Sequence, residues 1–157
     1  MERLQLVAFD LDERRYAIRL AAVRRVIRAA AVTPLPGAPA IVTGIVDVAG
    51  EVIPVVSLRR RLGLVDRETD PADHWIIART AMRTLGIEVD SVREVLEVAA
   101  SDVCPPENVL PGLDPLEGIA TLPDGMILIQ DLATFLSLEE DRTLGTSLAA
   151  AARLESK

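Results

Sequence analysis

Tyr16-Ala17-Ile18-Arg19-Leu20, followed by Val23-Arg24-Arg25-Val26-Ile27, decides the fold, because the chain writes this stretch twice. The second copy is Leu85-Gly86-Ile87-Glu88-Val89 followed by Val92-Arg93-Glu94-Val95-Leu96, 69 residues further on. Pro36 and Pro105 keep the same spacing. Upstream, Leu6-Val7-Ala8 pairs with Ile76-Ile77-Ala78, the second copy having the shorter turn. Downstream, Gly44-Ile45 matches Gly118-Ile119 at a spacing of 74, as do Leu58, Leu62 and Leu64 with Leu132, Leu136 and Leu138. The extra residues fall between Pro105 and Gly118, in a stretch rich in proline and asparagine, where a loop tolerates insertion. Self-similarity in a fixed order implies one unit over 1–138 made of two related lobes, 1–71 and 72–138. A tail at 139–157 follows it.

Each lobe reads as short strands with one helical turn. Leu4 to Leu11 alternates and runs into Asp12-Glu13, a hairpin turn leading to Tyr16–Leu20. Val23–Ala31 fits either a helical turn or a strand. Thr33-Pro34-Leu35-Pro36-Gly37-Ala38-Pro39 is irregular, since proline lacks the amide donor and fixes φ. Gly44–Val48 and Glu51–Val56 are β-branched runs around Ala49-Gly50, a tight hairpin that needs positive φ at Gly50. Pro54 belongs on a strand edge or bulge. Ser57 caps a short helix, Leu58–Leu62, stopped at Gly63. In the second lobe Asp124-Gly125 marks the hairpin and Asp131 caps Leu132–Leu136. Residues 143–155 carry a thin Leu144, Leu148, Leu154 stripe that suits a terminal helix. Five or so short strands per lobe suggest small closed barrels, an all-β fold with short helices.

Composition narrows the function. The chain has 157 residues, 17 basic and 24 acidic, for a net charge of −7. Half of it is hydrophobic, yet the aromatics are only Phe9, Tyr16, Trp75 and Phe135, so Val, Ile, Leu and Ala must build the core. A chain of this length buries roughly two thirds of its unfolded surface. The acidic balance and the scarcity of stacking rings argue against nucleic acid as a partner. The lone Cys104 has no internal disulfide partner, which suits a reducing compartment. Met1-Glu2-Arg3-Leu4 does not open a signal peptide, and no run nears the roughly 18–20 apolar residues of a membrane helix. A soluble, cytoplasmic protein without membrane insertion is expected.

Catalytic equipment is sparse. A triad or dyad built on histidine would have to use His74, and no nucleophile elbow stands near it. Asp70, Asp73 and His74 do not match metal-ligand spacing and read as a solvated inter-lobe linker. Cys104, between Val103 and Pro105, reads as a small buried hydrophobe. No glycine-rich phosphate fingerprint occurs. Glu139-Glu140 reads as charged surface. Arg59-Arg60-Arg61 is the densest positive run, either a solvated helix surface or a docking patch for an acidic partner. A non-enzymatic binding module with no catalytic residues, cofactor or metal is what remains.

The string Gly44-Ile45-Val46-Asp47-Val48-Ala49-Gly50-Glu51-Val52-Ile53-Pro54-Val55-Val56-Ser57-Leu58-Arg59 resembles the signature of CheW-type coupling proteins of bacterial chemotaxis. So do Leu6-Val7-x-Phe9, Tyr16-x-Ile18, Thr33-Pro34-x-Pro36, Gly86-x-x-Val89-Asp90-x-Val92 and Leu128-Ile129-x-Asp131-Leu132. The resemblance extends to about Leu138. It implies two intertwined SH3-like five-stranded barrels. It also implies a scaffold that joins the regulatory domain of a CheA-type histidine kinase to the cytoplasmic tip of chemoreceptors.

On that resemblance Ile41, Val42, Val55 and Val56 are expected near a kinase-facing edge, and Arg25, Asp47, Ala49 and Gly50 on a receptor-facing surface. This chain departs from the family there. Ala49 stands where the family usually has arginine, Asp47 where it often has asparagine, and Arg25 where it commonly has glutamate. Glu94, the repeat partner of Arg25, keeps the acid. Charge changes of this kind alter partner choice more than fold. The rival reading is a small-ligand-binding sensor using the groove between lobes.

Overall fold

The computed structural model describes residues 2–105, 116–132 and 136–155. β1 (Arg3–Leu11) and β2 (Arg14–Arg19) form the first hairpin, with Phe9 opposite Tyr16. Their rings stack with centroids 6.1 Å apart. Asp12, at the turn, takes φ +55°, a conformation that aspartate tolerates better than most residues. A 3₁₀ turn, Leu20–Ala22, leads to β3 (Val23–Arg28), so the ambiguous stretch is strand with its helical turn just before it. β4 (Val42–Val48), β5 (Glu51–Ser57) and α1 (Leu58–Arg61) complete the first half. Ser57 Oγ accepts from the Arg60 amide at 3.2 Å, the cap expected of it.

The second half repeats the order. It comprises β6 (His74–Arg79), β7 (Thr84–Glu88), β8 (Ser91–Ala99), β9 (Val103–Cys104), β10 (Leu116–Leu122) and β11 (Gly125–Gln130). Residues 133–135 of the expected helix at Leu132–Leu136, and the segment 106–115, lie outside the described residues.

Two sheets result, with orders β8-β1-β2-β11-β10-β9 and β3-β6-β7-β5-β4. The all-β reading therefore holds. Neither sheet is built from one half of the chain, and each takes strands from both. The repeat explains the arrangement. β3, β6, β7, β5 and β4 are the repeat counterparts of β8, β1, β2, β11 and β10, so both sheets have the same order with their first hairpins exchanged. Each exchanged hairpin is held by a parallel pairing, β2 with β11 and β7 with β5.

Exchange buries the hairpins on both faces. Val7, Phe9, Leu11, Tyr16 and Ile18 join one cluster with Ile76, Ala78, Leu85 and Ile87. Leu6 and Ala17 point into a second cluster with Val98, Ala120, Ile127 and Ile129. Period-two alternation thus serves two cores at once. The first cluster fills the space between the sheets.

Pro54 sits in β5, between β7 and β4, rather than on an edge strand. The ladder to β7 begins at Val55, so the proline stands at its margin, where the missing amide is tolerated. The paired glycines have a steric cause. A β-carbon on Gly44 would lie 2.4 Å from the Thr33 carbonyl oxygen, and one on Gly118 would lie 2.6 Å from Val103 Cγ1. At each site a crossing segment, Thr33 or β9, closes against the strand.

Residues Leu138–Glu155 form α2, beginning at Leu138 rather than 143. A reciprocal capping box starts it: Ser137 Oγ accepts from the Glu140 amide at 3.0 Å, and Glu140 Oε1 from the Ser137 amide at 2.9 Å. Burial tends to raise the Glu140 pKa, but the Ser137 amide and Arg61 outweigh it and hold it below the ordinary carboxylate value. Leu144 is fully buried in the inter-sheet cluster, with Leu148 against it. Arg83 to Asp141 at 2.7 Å and Arg61 to Glu140 at 2.8 Å tie the helix to both halves. The Leu154 side chain lies outside the description.

Candidate protein interaction site

The β4–β5 hairpin presents Asp47, Ala49 and Gly50 to solvent. Ala49 and Gly50 take φ +52° and +88°, a turn with two left-handed residues. Asp47 Oδ1 accepts from the Gly50 amide at 2.8 Å and so fixes the turn. Gly50 pays no β-carbon penalty there, whereas Ala49 does. Val52, directly opposite Asp47, is 50% exposed. The tip is thus a small, preorganised surface with one carboxylate and one apolar neighbour.

Arg25 lies exposed on β3. β3 and β4 are the two border strands of the five-stranded sheet, with β6, β7 and β5 between them. Arg25 and Asp47 are therefore not cross-strand partners.

Ile41, Val42, Val55 and Val56 are placed differently from expectation. Val55 and Val56 are fully buried, Ile41 and Val42 nearly so. Their side chains pack the core beneath the hairpin and offer nothing to a partner. β-branched strand residues signal burial and edge alike, so sequence could not separate the two. Thr43, beside them, donates to Glu88 Oε1 at 3.0 Å. Burial raises the Glu88 pKa above its usual value, against the opposing pull of that hydrogen bond.

The arginine run is not an open basic patch. Arg59 is buried, and its Nη2 contacts Asp12 Oδ1 at 2.6 Å and Asp90 Oδ2 at 2.8 Å. Arg60 reaches Asp66 at 3.3 Å and the Ala40 carbonyl at 2.8 Å. Arg61 pairs with Glu140 on α2. All three cations are used internally. Arg67 extends the network by bridging Asp90 at 2.9 Å and Asp73 at 3.0 Å, and these two carboxylates raise the guanidinium pKa. Asp73, once grouped with Asp70 and His74, is thus committed to an ion pair. His74 is half-buried on β6 opposite Arg28. Cys104 is half-buried on β9 rather than fully buried. Among the described residues no group of His, Cys, Asp and Glu is arranged to hold a metal ion, and no helix is long and apolar enough to cross a membrane.

The space between the two sheets is filled by the apolar cluster. The small cavity beside Trp75, Asp73 and Glu88 has about 20 Å³, room for one water.

Exposed apolar residues supply a signal that residue types alone did not. Val26 and Val95, 41% and 57% exposed, are repeat partners, as are Val52 and Met126, 50% and 66% exposed. Applying the repeat spacing to candidate surface residues would have found both pairs. Within each sheet the two lie on strands separated by two others, Val26 on β3 from Val52 on β5 and Val95 on β8 from Met126 on β11. Isolated exposed apolar residues are ordinary, but the same positions recurring across a repeat indicate retained surfaces.

Comparison with known proteins agrees with this picture. The family described as CheW-like domain matches residues 5–140. A chemotaxis protein CheW of Treponema pallidum is 29% identical over 145 residues, covering 88% of this chain and 85% of that protein. Its counterpart in Rhizobium meliloti is 28% identical over 138 residues, covering 87% and 89%. The crystal structure of the scaffolding protein TtCheW from Thermoanaerobacter tengcongensis superposes with a TM-score of 0.80 at 28% identity, covering 88% of this chain and 96% of that one.

Proposed function

The chain belongs to the CheW-like domain family, and from that membership we propose a non-enzymatic scaffold that couples chemoreceptors to a CheA-type histidine kinase in the cytoplasm. The observation that supports this reading is an apolar core filling the space between the sheets, with repeat-related apolar residues exposed on each sheet. Such a molecule has faces to offer partners on two sides. A rigid body with two docking faces joins partners without chemistry. Residues 1–138 act as one unit in this reading, with α2 packed against it through Leu144.

Titration calorimetry against the regulatory domain of the cognate kinase tests it. Micromolar or tighter binding is expected, and no heat at high concentration refutes the kinase half of the role. The receptor half is tested through Ala49. Alanine already occupies a left-handed position in the open, so Ala49→Arg adds no backbone strain. It is expected to change affinity for the receptor tip while altering stability by less than ~0.5 kcal/mol. A large fall in melting temperature would show that the hairpin tip is structural instead.

A further inference from the structure

In a protein of net charge −7, most cations with a role in the fold are matched to carboxylates. Arg59, Arg60, Arg61, Arg67, Arg83 and Arg93 all are. β3 concentrates cations that are not. It carries Arg24, Arg25 and Arg28 and no carboxylate, all three are exposed, and none has an ion-pair partner among the described residues. Val26, among them, is 41% exposed. Asp73, whose carbonyl accepts from the Ala29 amide just past the end of β3, has its carboxylate taken by Arg67. We infer that the β3 border is a docking strip for an acidic segment of a partner protein, bound alongside the strand with an apolar side chain on Val26.

The repeat shows that this charge is not demanded by the fold. β8 holds the equivalent border position in the other sheet. It carries one arginine and two glutamates. Arg93 there is tied to Asp10 and Glu97 to Arg3, and Glu94 replaces Arg25. Two strands of one topology thus carry opposite charge, and only β3 leaves its cations unspent. Three uncompensated guanidinium groups along an acidic protein repel one another, and carboxylates supplied in trans relieve that repulsion. β3 also has a sheet neighbour on one side only, β6, so an extended segment can add backbone hydrogen bonds on the other. Nucleic acid fits less well, because the remaining surface is acidic and the strip has no ring for stacking.

The inference rests on the reading that turns Arg25 toward a partner, is independent of the kinase contact, and fails separately from it. It is tested by fluorescence anisotropy with a labelled extended peptide alternating Glu and Val. A Lys–Val peptide and an oligonucleotide of equal charge serve as comparisons. The Glu–Val peptide is expected to bind, to weaken with added salt, and to lose about tenfold or more in the R24E/R25E/R28E variant. Glu94→Arg on β8 is expected to leave this affinity within twofold. If the triple variant does not fold, Arg25→Glu alone is read, with a loss of about threefold expected. Equal affinity in the variants, binding of the Lys–Val peptide as tightly, or preference for the oligonucleotide overturns the proposal. Peptide binding with no kinase binding leaves it standing and removes the kinase partner. The reverse result removes it alone.

Discussion

Gly44→Ala is expected to destabilise the protein by about 2–3 kcal/mol, a shift visible in the urea midpoint. The added β-carbon would sit 2.4 Å from the Thr33 carbonyl oxygen, and 3.1 Å from the Val32 β-carbon. Both neighbours are backbone or near it, so neither moves aside alone. The Thr33–Ile45 bridge, with hydrogen bonds of 2.9 and 2.8 Å, would have to open. That bridge covers the border of β4 and lies at the root of the hairpin bearing Asp47 and Ala49. Loss of partner binding at temperatures where the variant is still folded is the second expected result. Gly118→Ala should cost less, because its nearest backbone atom, the Cys104 carbonyl oxygen, is 3.2 Å away and the 2.6 Å approach is to a side-chain atom, Val103 Cγ1. If Gly44→Ala melts like the parent, the close approach is not what retains glycine there.

Arg59→Ala carries the other large effect, about 2–3 kcal/mol. Removing one member of a buried ion pair leaves its partners desolvated and unmatched. This is below the roughly 3–5 kcal/mol of a fully buried pair because Asp12 is half-exposed and Asp90 keeps Arg67. Arg59→Lys should fall between, since a single ammonium cannot hold Asp12, Asp90 and the Val65 carbonyl together. Arg60→Ala, whose partner is largely exposed, should stay within ~0.5 kcal/mol. The network also sets the acid limb of stability. Burial tends to raise the Asp90 pKa, but hydrogen bonds from Arg67, the Asp12 amide and Arg59 outweigh it and hold it below the usual 3.8. The folded form therefore binds that proton less readily than the unfolded chain. The Asp90 contribution to stability is full above pH 3.8 and is lost as pH falls through the lowered value. In Arg59→Ala the folded pKa moves back toward the ordinary value, so the acid-dependent loss is smaller and spans a narrower pH range. The same change of unfolding free energy with pH below 3.8 in parent and variant would show that Asp90 is not held by Arg59.

Residues that answer to their immediate neighbours in sequence were readable in advance. The Ser57 cap, the Gly50 turn and the strand hairpins each depend on contacts within a few positions, and the structure has them. The start of α2 was equally local, since Ser137 and Glu140 spell a capping box, but the leucine stripe drew attention further along. Arg59 was not readable. Its partners lie 47 and 31 residues away, and nothing in Arg59-Arg60-Arg61 says which of three cations turns inward. The four aliphatic residues assigned to a docking edge fell in the core for a similar reason: a β-branched run records that a strand is apolar and leaves open what covers it.

The sequence by itself determined a duplicated all-β chain, its hairpins, its family and the positions where it departs from that family's charge pattern. These follow from periodicity, turn chemistry and the repeat, all carried by residues close together or at fixed spacing. Only the tertiary structure decided that the first hairpins change places, so that β1 and β2 pair with β8 and β11 while β6 and β7 pair with β3 and β5. A strand's alternation specifies two faces and two edges but not which strand meets them. That choice belongs to whichever pairing buries both faces of both hairpins, and here only strands from opposite halves of the chain do so.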